Sequence, residues 1–239
     1  MSKIYETRLK KEFELLQRLQ RHPFNKNKVV QLYYKDRMGG AYKSILDPIN
    51  GPLYPNQFRV TYTMPMYVDE GQIKNDWSAT FLFEVPEEIL MDPDSKLGVE
   101  IEGNNGNFPE GAVPFNNHVS TGWVCTGSAW GVANQGFGIW YFIISLGCLL
   151  NQEKFMMASD PSDENKHLNA DAFRYWKNVR KMQPNNKIDW PFKLNETIFE
   201  PGRVTPAKPE TPKSKFFFGA KTTEPVKKST FTFGHKSEE

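Results

Sequence analysis

Hydrophobic residues near the start of the chain recur with the spacing of an amphipathic helix. In and just before YETRLKKEFELLQRLQRHP, apolar residues lie near the helical period of about 3.6, with charged residues between them. These apolar residues are Ile4, Leu9, Phe13, Leu16 and Leu19. The pattern predicts a helix with one buried face. Pro23 is expected to limit the helix, because proline cannot continue it.

From residue 29 to residue 101 the pattern changes to that of short strands. Turn-forming sequences such as GG, DPINGP, DEGQ and DPDS separate alternating or β-branched runs. The runs are VVQLYY at 29–34, FRVTYTMPMYV at 58–68, WSATFLFEV at 77–85 and LGVEIEG at 97–103. No helical pattern lies between them, so we expect successive strands to pair as an antiparallel meander of four strands.

The next part of the chain predicts a long irregular segment followed by two helices. Residues 103–138 are rich in Gly and Asn, and loops of this length are usually functional or disordered. Residues 139–150 are apolar nearly all round, which predicts a buried helix. The sequence NADAFRYWKNVRK at 169–181 predicts a last helix, limited by Pro184, whose basic end suits a helix C-terminus. The sequence therefore predicts an α+β domain over residues 1–190.

Residues 191–239 are predicted to form a disordered tail, because their Pro, Lys, Thr, Ser and Glu content cannot bury enough apolar surface. The form K-S-x-F-x-F-G-x-K occurs twice in this tail, at 213–221 and 228–236. The repeated aromatic residues are Phe216, Phe218, Phe231 and Phe233. Two such motifs suit docking to a groove or sheet edge of a partner, with avidity from the shared tether. The alternative is a solubilising tail whose similarity arose by chance.

Composition narrows the classes of partner. Lys and Arg total 30 against 28 Asp and Glu, a formal charge of +2, so no global field attracts nucleic acid or an anionic membrane. The longest mainly apolar run, 137–150, is shorter than the roughly 20 residues that span a bilayer. Two cysteines argue against a disulfide scaffold and favour a reducing compartment. We expect a cytoplasmic protein, with the nucleus as an alternative, that uses no cofactor or metal.

Cys125 stands out within NNHVSTGWVCTGSAW at 116–130. A free cysteine is usually a buried small hydrophobe, yet this one lies in a segment typical of loops. An exposed loop thiol suggests reactivity, although an inert thiol is the simpler alternative. Cys148 lies inside the apolar helix and is expected to be a core residue.

The residues around Cys125 resemble the active-site region of ubiquitin-conjugating (E2) enzymes. Gly122-Trp123-Val124-Cys125 is similar to that family's Gly-x-Ile-Cys, and Asn117 falls at the asparagine of its His-Pro-Asn motif. ISLGCLL at 144–150 resembles the helix that follows the family's active-site loop, and RLKKEFELLQ at 8–17 resembles its opening helix. The resemblance covers roughly residues 3–182.

Several positions depart from the family pattern. Phe115 and Asn116 stand where the family has His-Pro, and His118 lies on the other side of Asn117. The proline-rich segment that usually follows the third strand is reduced to Val85-Pro86. The chain thus looks more like the divergent E2 proteins of bacterial or viral conjugation systems.

The resemblance implies a UBC-like fold and a transferase. Cys125 would carry ubiquitin or a ubiquitin-like protein as a thioester, received from an E1 enzyme and passed to an amine. Asn117 would stabilise the oxyanion, with Asn116 as the alternative if the register shifts by one. Asp163 or Asp160 would orient the incoming lysine. An E3 or another partner would bind the phenylalanine motifs of the tail.

Other interpretations stay open at this point. The chain could be an inactive E2-like binding module that acts through its fold and tail motifs. A cysteine hydrolase is a further alternative, although four His offer no persuasive partner for the thiol. Asn117 could brace the loop, and the acidic residues could form a solvated connection. The residues Trp123, Trp130 and Trp140 are expected to pack rather than to stack on nucleic acid bases.

Overall fold

The computed structural model describes residues 2–75, 77–92, 94–102, 114–116, 118–120, 122–126, 129–150 and 168–179, with side chains to residue 175. Its elements are α1 (Lys3–Gln20), a 3₁₀ turn (Pro23–Asn25), β1 (Val30–Lys35), β2 (Lys43–Ser44), β3 (Gln57–Thr63), β4 (Met66–Asp69), β5 (Gln72–Lys74), β6 (Ser78–Glu84), α2 (Glu87–Met91), β7 (Glu100–Ile101), β8 (Val119–Ser120), β9 (Trp123–Val124), α3 (Ala129–Val132), a π-helical turn (Ala133–Phe137), α4 (Ile139–Leu150) and α5 (Ala170–Val179). This content confirms the predicted α+β class.

Helix α1 forms where the apolar periodicity predicts it, but its buried face differs at one position. The Ser2 side chain caps the helix by accepting the N–H of Tyr5 over 3.2 Å. Tyr5 is 1% exposed and donates its hydroxyl to the Val85 carbonyl over 2.7 Å, whereas Ile4 is 67% exposed. The spacing explains this correction, since Tyr5 lies one full helical turn before Leu9 and Ile4 does not.

The main sheet is antiparallel and has the order β2-β1-β3-β6-β7. Strands β1, β3, β6 and β7 pair in chain order, as the sequence predicts, and β2 is an added edge strand. Alternate residues point inward, and the buried ones are Val30, Leu32, Tyr34, Phe58, Val60, Tyr62, Ala79, Phe81 and Phe83. The inner face of the sheet is therefore the apolar platform of the core.

The predicted run 58–68 is two strands rather than one. Strand β3 ends at Thr63, and β4 starts at Met66 after Pro65, which has no backbone N–H to continue a ladder. Strands β4 and β5 then form a separate hairpin whose turn places Gly71 at a φ of 66°. A single proline thus converts a continuous apolar run into a strand and a hairpin.

Helix α4 packs against the inner face of the sheet, as its apolar sequence predicts. Phe142 meets Phe83 edge to face at 5.6 Å between ring centroids, and the Tyr62 hydroxyl donates to the Ile143 carbonyl over 2.6 Å. Cys148 is buried within this helix, which confirms its predicted core position. No helix in the described ranges is both long enough and apolar enough to cross a membrane.

A buried carboxylate caps the start of α4. Glu12 of α1 accepts the backbone N–H of Ile139 over 2.8 Å. Gly138, with a φ of 104°, brings the chain so close that a Cβ there would lie 2.5 Å from the Glu12 carboxylate. Only glycine fits this approach without a shift of its neighbours.

Helix α5 belongs to a smaller apolar cluster beside the main core. The cluster consists of Tyr67 from β4, Phe115 and Ala172, with Ile73 and Tyr175 packed against it. Asn169 caps the helix by accepting the N–H of Ala172 over 2.9 Å. The predicted domain boundary at 190/191 and both phenylalanine repeats lie outside the described residues.

Candidate functional site

Cys125 lies directly after the second strand of the hairpin formed by β8 and β9. Val119 pairs with Val124, and Ser120 pairs with Trp123. The ladder continues one bond further, because the Cys125 N–H donates to the His118 carbonyl over 2.7 Å. Gly122 has a φ of 86°, in the left-handed region that favours glycine. The irregular loop predicted for 103–138 is thus wrong in part, since it contains this hairpin, α3 and the π-helical turn.

The hairpin is fastened to the edge of the main sheet. The Val124 N–H donates to the Val99 carbonyl over 3.1 Å, and the Ile101 N–H donates to the Gly122 carbonyl over 3.3 Å. These bonds extend the sheet past β7 and hold the segment before Cys125. The thiol therefore sits on a hydrogen-bonded support rather than in a free loop.

The alternation of exposure along β9 shows which way the thiol faces. Trp123 is 58% exposed, Val124 is 7% exposed, and Cys125 is partly exposed. Residues two apart on a strand point to the same side, at a rise of about 3.3 Å per residue. Trp123 and Cys125 thus share the outer face, roughly 7 Å apart along the chain. Trp123 was expected to pack rather than to stack on nucleic acid bases, but most of its side chain is exposed, because Val124 occupies the inward-facing position of this strand.

Asn116 ties the beginning of this hairpin to α4. It is 1% exposed, and its Nδ2 donates to the Leu149 carbonyl over 2.8 Å. Its Oδ1 accepts the His118 N–H over 2.8 Å. His118 in turn accepts from Cys125, so a chain of hydrogen bonds runs from α4 to the backbone of the thiol. Both polar groups of Asn116 are occupied inside the fold, which argues against it as the oxyanion donor.

Phe115 fixes the chain just before Asn116. Its N–H donates to the Tyr67 carbonyl over 2.8 Å, and its ring meets Tyr175 of α5 at 5.7 Å between centroids. The residue that stands where the E2 pattern has histidine is therefore an apolar anchor against the β4–β5 hairpin and α5. The sequence did not predict this role for Phe115, because the residues that it contacts are distant in the chain.

The segment after the thiol is anchored by aromatic packing. Trp130 of α3 is buried, as expected, and meets Phe142 of α4 edge to face at 5.4 Å. Its Nε1 donates to the Ser95 hydroxyl over 3.3 Å. The thiol is therefore held between two fixed flanks, Asn116 before it and Trp130 after it.

A polar network holds the π-helical turn that follows α3. Arg8 of α1 donates to the Asn134 carbonyl over 3.0 Å and to the Leu90 carbonyl over 2.6 Å. Asn134 donates from Nδ2 to the Asp92 carbonyl over 2.9 Å. Arg8 of α1 thereby connects α2 with the π-helical turn, which lies between Cys125 and α4 in the chain. Sequence reasoning missed these residues, since a polar helix position carries no signal of such distant carbonyl partners.

The structure does not describe three of the other residues named from the sequence. Asn117, Asp160 and Asp163 lie outside the described residues, so their predicted roles stay predictions. Among the described residues, no group of three or more His, Cys, Asp or Glu side chains is arranged to hold a metal ion. The described site therefore consists of one partly exposed thiol and the residues that fix its backbone.

Comparison with known proteins found no matching family model, no matching curated protein and no matching solved structure.

Proposed function

We propose that the chain is an E2-like transferase that carries ubiquitin or a ubiquitin-like protein as a thioester on Cys125. The observation that carries this proposal is the placement of a partly exposed thiol at the end of a hairpin bonded to both the sheet edge and α4. The order of an N-terminal helix, an antiparallel meander and a buried helix after the cysteine supports it, as does the sequence around Gly122 and Cys125.

The chemistry requires an accessible sulfur and little else from the chain itself. The Cys125 thiolate attacks the thioester carbonyl of the modifier on E1, the acyl group moves to Cys125, and the E1 thiolate leaves. An amine then attacks the new thioester, gives up a proton, and expels the Cys125 thiolate as the amide forms. A fixed backbone lowers the cost of orienting the sulfur for both steps.

The oxyanion of the second step would be stabilised by Asn117, in line with the resemblance to E2 enzymes. The position of its neighbour supports this assignment, because the buried Asn116 is committed to Leu149 and His118. Asp163 or Asp160 would orient the acceptor amine.

The test is a charging reaction on the full chain with a panel of purified E1 enzymes, their modifiers and ATP, analysed on a non-reducing gel. We expect an adduct that disappears with reductant, is absent in Cys125→Ala and persists in Cys148→Ala. The buried Cys148 supplies the matched control. Failure of every E1 to charge Cys125, with the protein folded, would contradict the proposal and favour an inactive binding module.

A further inference from the structure

A cleft of about 400 Å³ opens beside Trp123 on the outer side of the sheet. Its apolar lining comes from β6, α2, the segment before β7, and β9. The apolar residues that line it are Leu82, Phe83, Pro86, Ile89, Leu97 and Trp123. This volume lies in the range of about 300–1,000 Å³ that is usual for ligand sites. The exposed ring of Trp123 thus forms one wall of a cleft whose lining is partly apolar and partly charged.

The charges around the cleft are unequal. Glu84 and Glu100 line it, against one cation, Lys96. Glu84 accepts the side-chain amides of Asn56 over 3.2 Å and Gln57 over 3.0 Å, and these neutral groups leave its charge in place. Within the part of the chain that the structure describes, neither carboxylate forms an ion pair. The cleft therefore favours a ligand that combines an apolar side chain with a positive charge.

The Trp123 wall of the cleft lies two residues before Cys125 in the chain. Trp123 lines the cleft, and Cys125 follows on the same face of the strand, roughly two residues of extended chain away. Val124, between them, is bonded to Val99, whose neighbours Gly98 and Glu100 also line the cleft. A peptide seated here would present the amine of a lysine within about three residues of its apolar anchor to Cys125.

We propose that this cleft binds the acceptor polypeptide, as an extended segment that pairs an aromatic or aliphatic side chain with a neighbouring lysine or arginine. Naming the occupant as the acceptor rests on the proposed function, whereas the preference for a basic and apolar peptide follows from the cleft alone. Trp123 and Leu82 hold the apolar side chain, and Glu100 and Glu84 attract the cation.

The first test measures binding of fluorescein-labelled peptides to the full chain by anisotropy. The probes are Gly-Gly-Arg-Phe-Gly-Lys-Gly-Gly, the same peptide with Ala for Phe, and the same peptide with Glu for Arg and Lys. We expect the first to bind several-fold more tightly than either of the others. Equal affinity for all three peptides would overturn the proposal.

Charge variants locate the preference in the cleft. Glu100 is exposed on β7, so Glu100→Lys is compatible with folding. This substitution should weaken binding of the peptide with Arg and Lys, the basic peptide, by about two- to fivefold. The peptide with Glu at both positions, the acidic peptide, should bind more tightly to the variant than to the wild-type protein. Glu70→Lys makes the same charge change at an exposed position of the β4–β5 hairpin and serves as the matched control. Equal effects of the two variants would show a general charge effect and contradict the proposal.

The position of the bound peptide is read from the indole N–H signal of Trp123, assigned by its loss in Trp123→Phe. We expect this signal to shift on addition of the basic peptide, and peptide binding without any shift would place the site elsewhere. If Cys125 is charged by E1, the lysine of the basic peptide should be modified faster than the lysine of the peptide with Ala for Phe. Charging without peptide discrimination would overturn the cleft assignment alone, and discrimination without charging would overturn the proposed function alone.

Discussion

The side-chain amide of Asn116 donates to the carbonyl of Leu149 over 2.8 Å and thereby ties the strand before Cys125 to the last turn of α4. The same side chain accepts the N–H of His118, whose carbonyl receives the Cys125 N–H. Three successive hydrogen bonds thus connect the apolar helix α4 with the backbone of Cys125. These bonds therefore fix the backbone of Cys125 relative to the core helix α4.

Replacing Asn116 by alanine should destabilise the protein by about 2–3 kcal/mol, because it leaves a buried carbonyl and a buried N–H without their partner. The free energy of unfolding in urea measures this loss. Asn27→Ala, at an exposed position after the 3₁₀ turn, is the control and should change stability little. A loss no larger than that of the control would show that the Asn116 bonds contribute nothing to stability.

Glu12 should make stability depend on pH. Burial raises the pKa of its carboxyl, and the Ile139 N–H and Arg8 only partly oppose that rise. The folded state therefore binds this proton more tightly than the unfolded state, so the Glu12 contribution is greatest below the unfolded pKa of about 4.3. It is lost as the pH rises through the folded pKa.

The difference in unfolding free energy between Glu12→Gln and the wild-type protein should therefore shift in favour of the variant as the pH rises. Glutamine keeps an acceptor for the Ile139 N–H but does not titrate. Glu14→Gln, an exposed position on the same helix, is the matched control and should show no such trend. A difference that is constant between pH 4 and pH 8 would contradict this account of Glu12.

Gly138→Ala should destabilise the protein by about 2 kcal/mol or more, since alanine is strained at a φ of 104°. Its Cβ would also meet the Glu12 carboxylate. In a Glu12→Ala background only the backbone strain remains, so the cost of Gly138→Ala should be smaller there. A double-mutant cycle of unfolding free energies checks this coupling, and additive costs would show that the contact is relieved without penalty.

Arg8→Lys should destabilise the protein by about 1–2 kcal/mol although the charge is kept. Lysine has no planar fork to serve the carbonyls of Leu90 and Asn134 together. Arg21→Lys, at the exposed C-terminal end of α1, is the matched control for the same substitution. Equal stability of the two variants in thermal unfolding would show that the hydrogen bonds of Arg8 do not stabilise the fold.

Much of the fold was predictable from the period of the hydrophobic residues. The helical period identified α1 and α4, and alternation identified the strands that pair in chain order. Pro65 contained the signal that divides β3 from β4, but a continuous apolar run outweighed it. The misplaced helix face at Ile4 arose because both Ile4 and Tyr5 are apolar enough to be buried, and the tertiary contact with Val85 decides between them.

The candidate site was predictable only at its thiol. Local sequence singled out Cys125, but the residues that hold it act over long separations: Asn116 on Leu149, and Arg8 on Asn134. The neighbouring sequence does not distinguish a loop residue from a buried polar side chain whose hydrogen-bond partners are distant carbonyls. Periodicity over one short hairpin was also too brief to show that Val124, rather than Trp123, faces inward.

The central claim is that Cys125 accepts a ubiquitin-like protein as a thioester, and intact mass measurement after reaction with E1, modifier and ATP tests it most directly. We predict a gain equal to the mass of the modifier less one water, located at Cys125 by peptide mapping and removed by dithiothreitol. Attachment at a lysine instead, or an unchanged mass with every E1 in the panel, would contradict the claim.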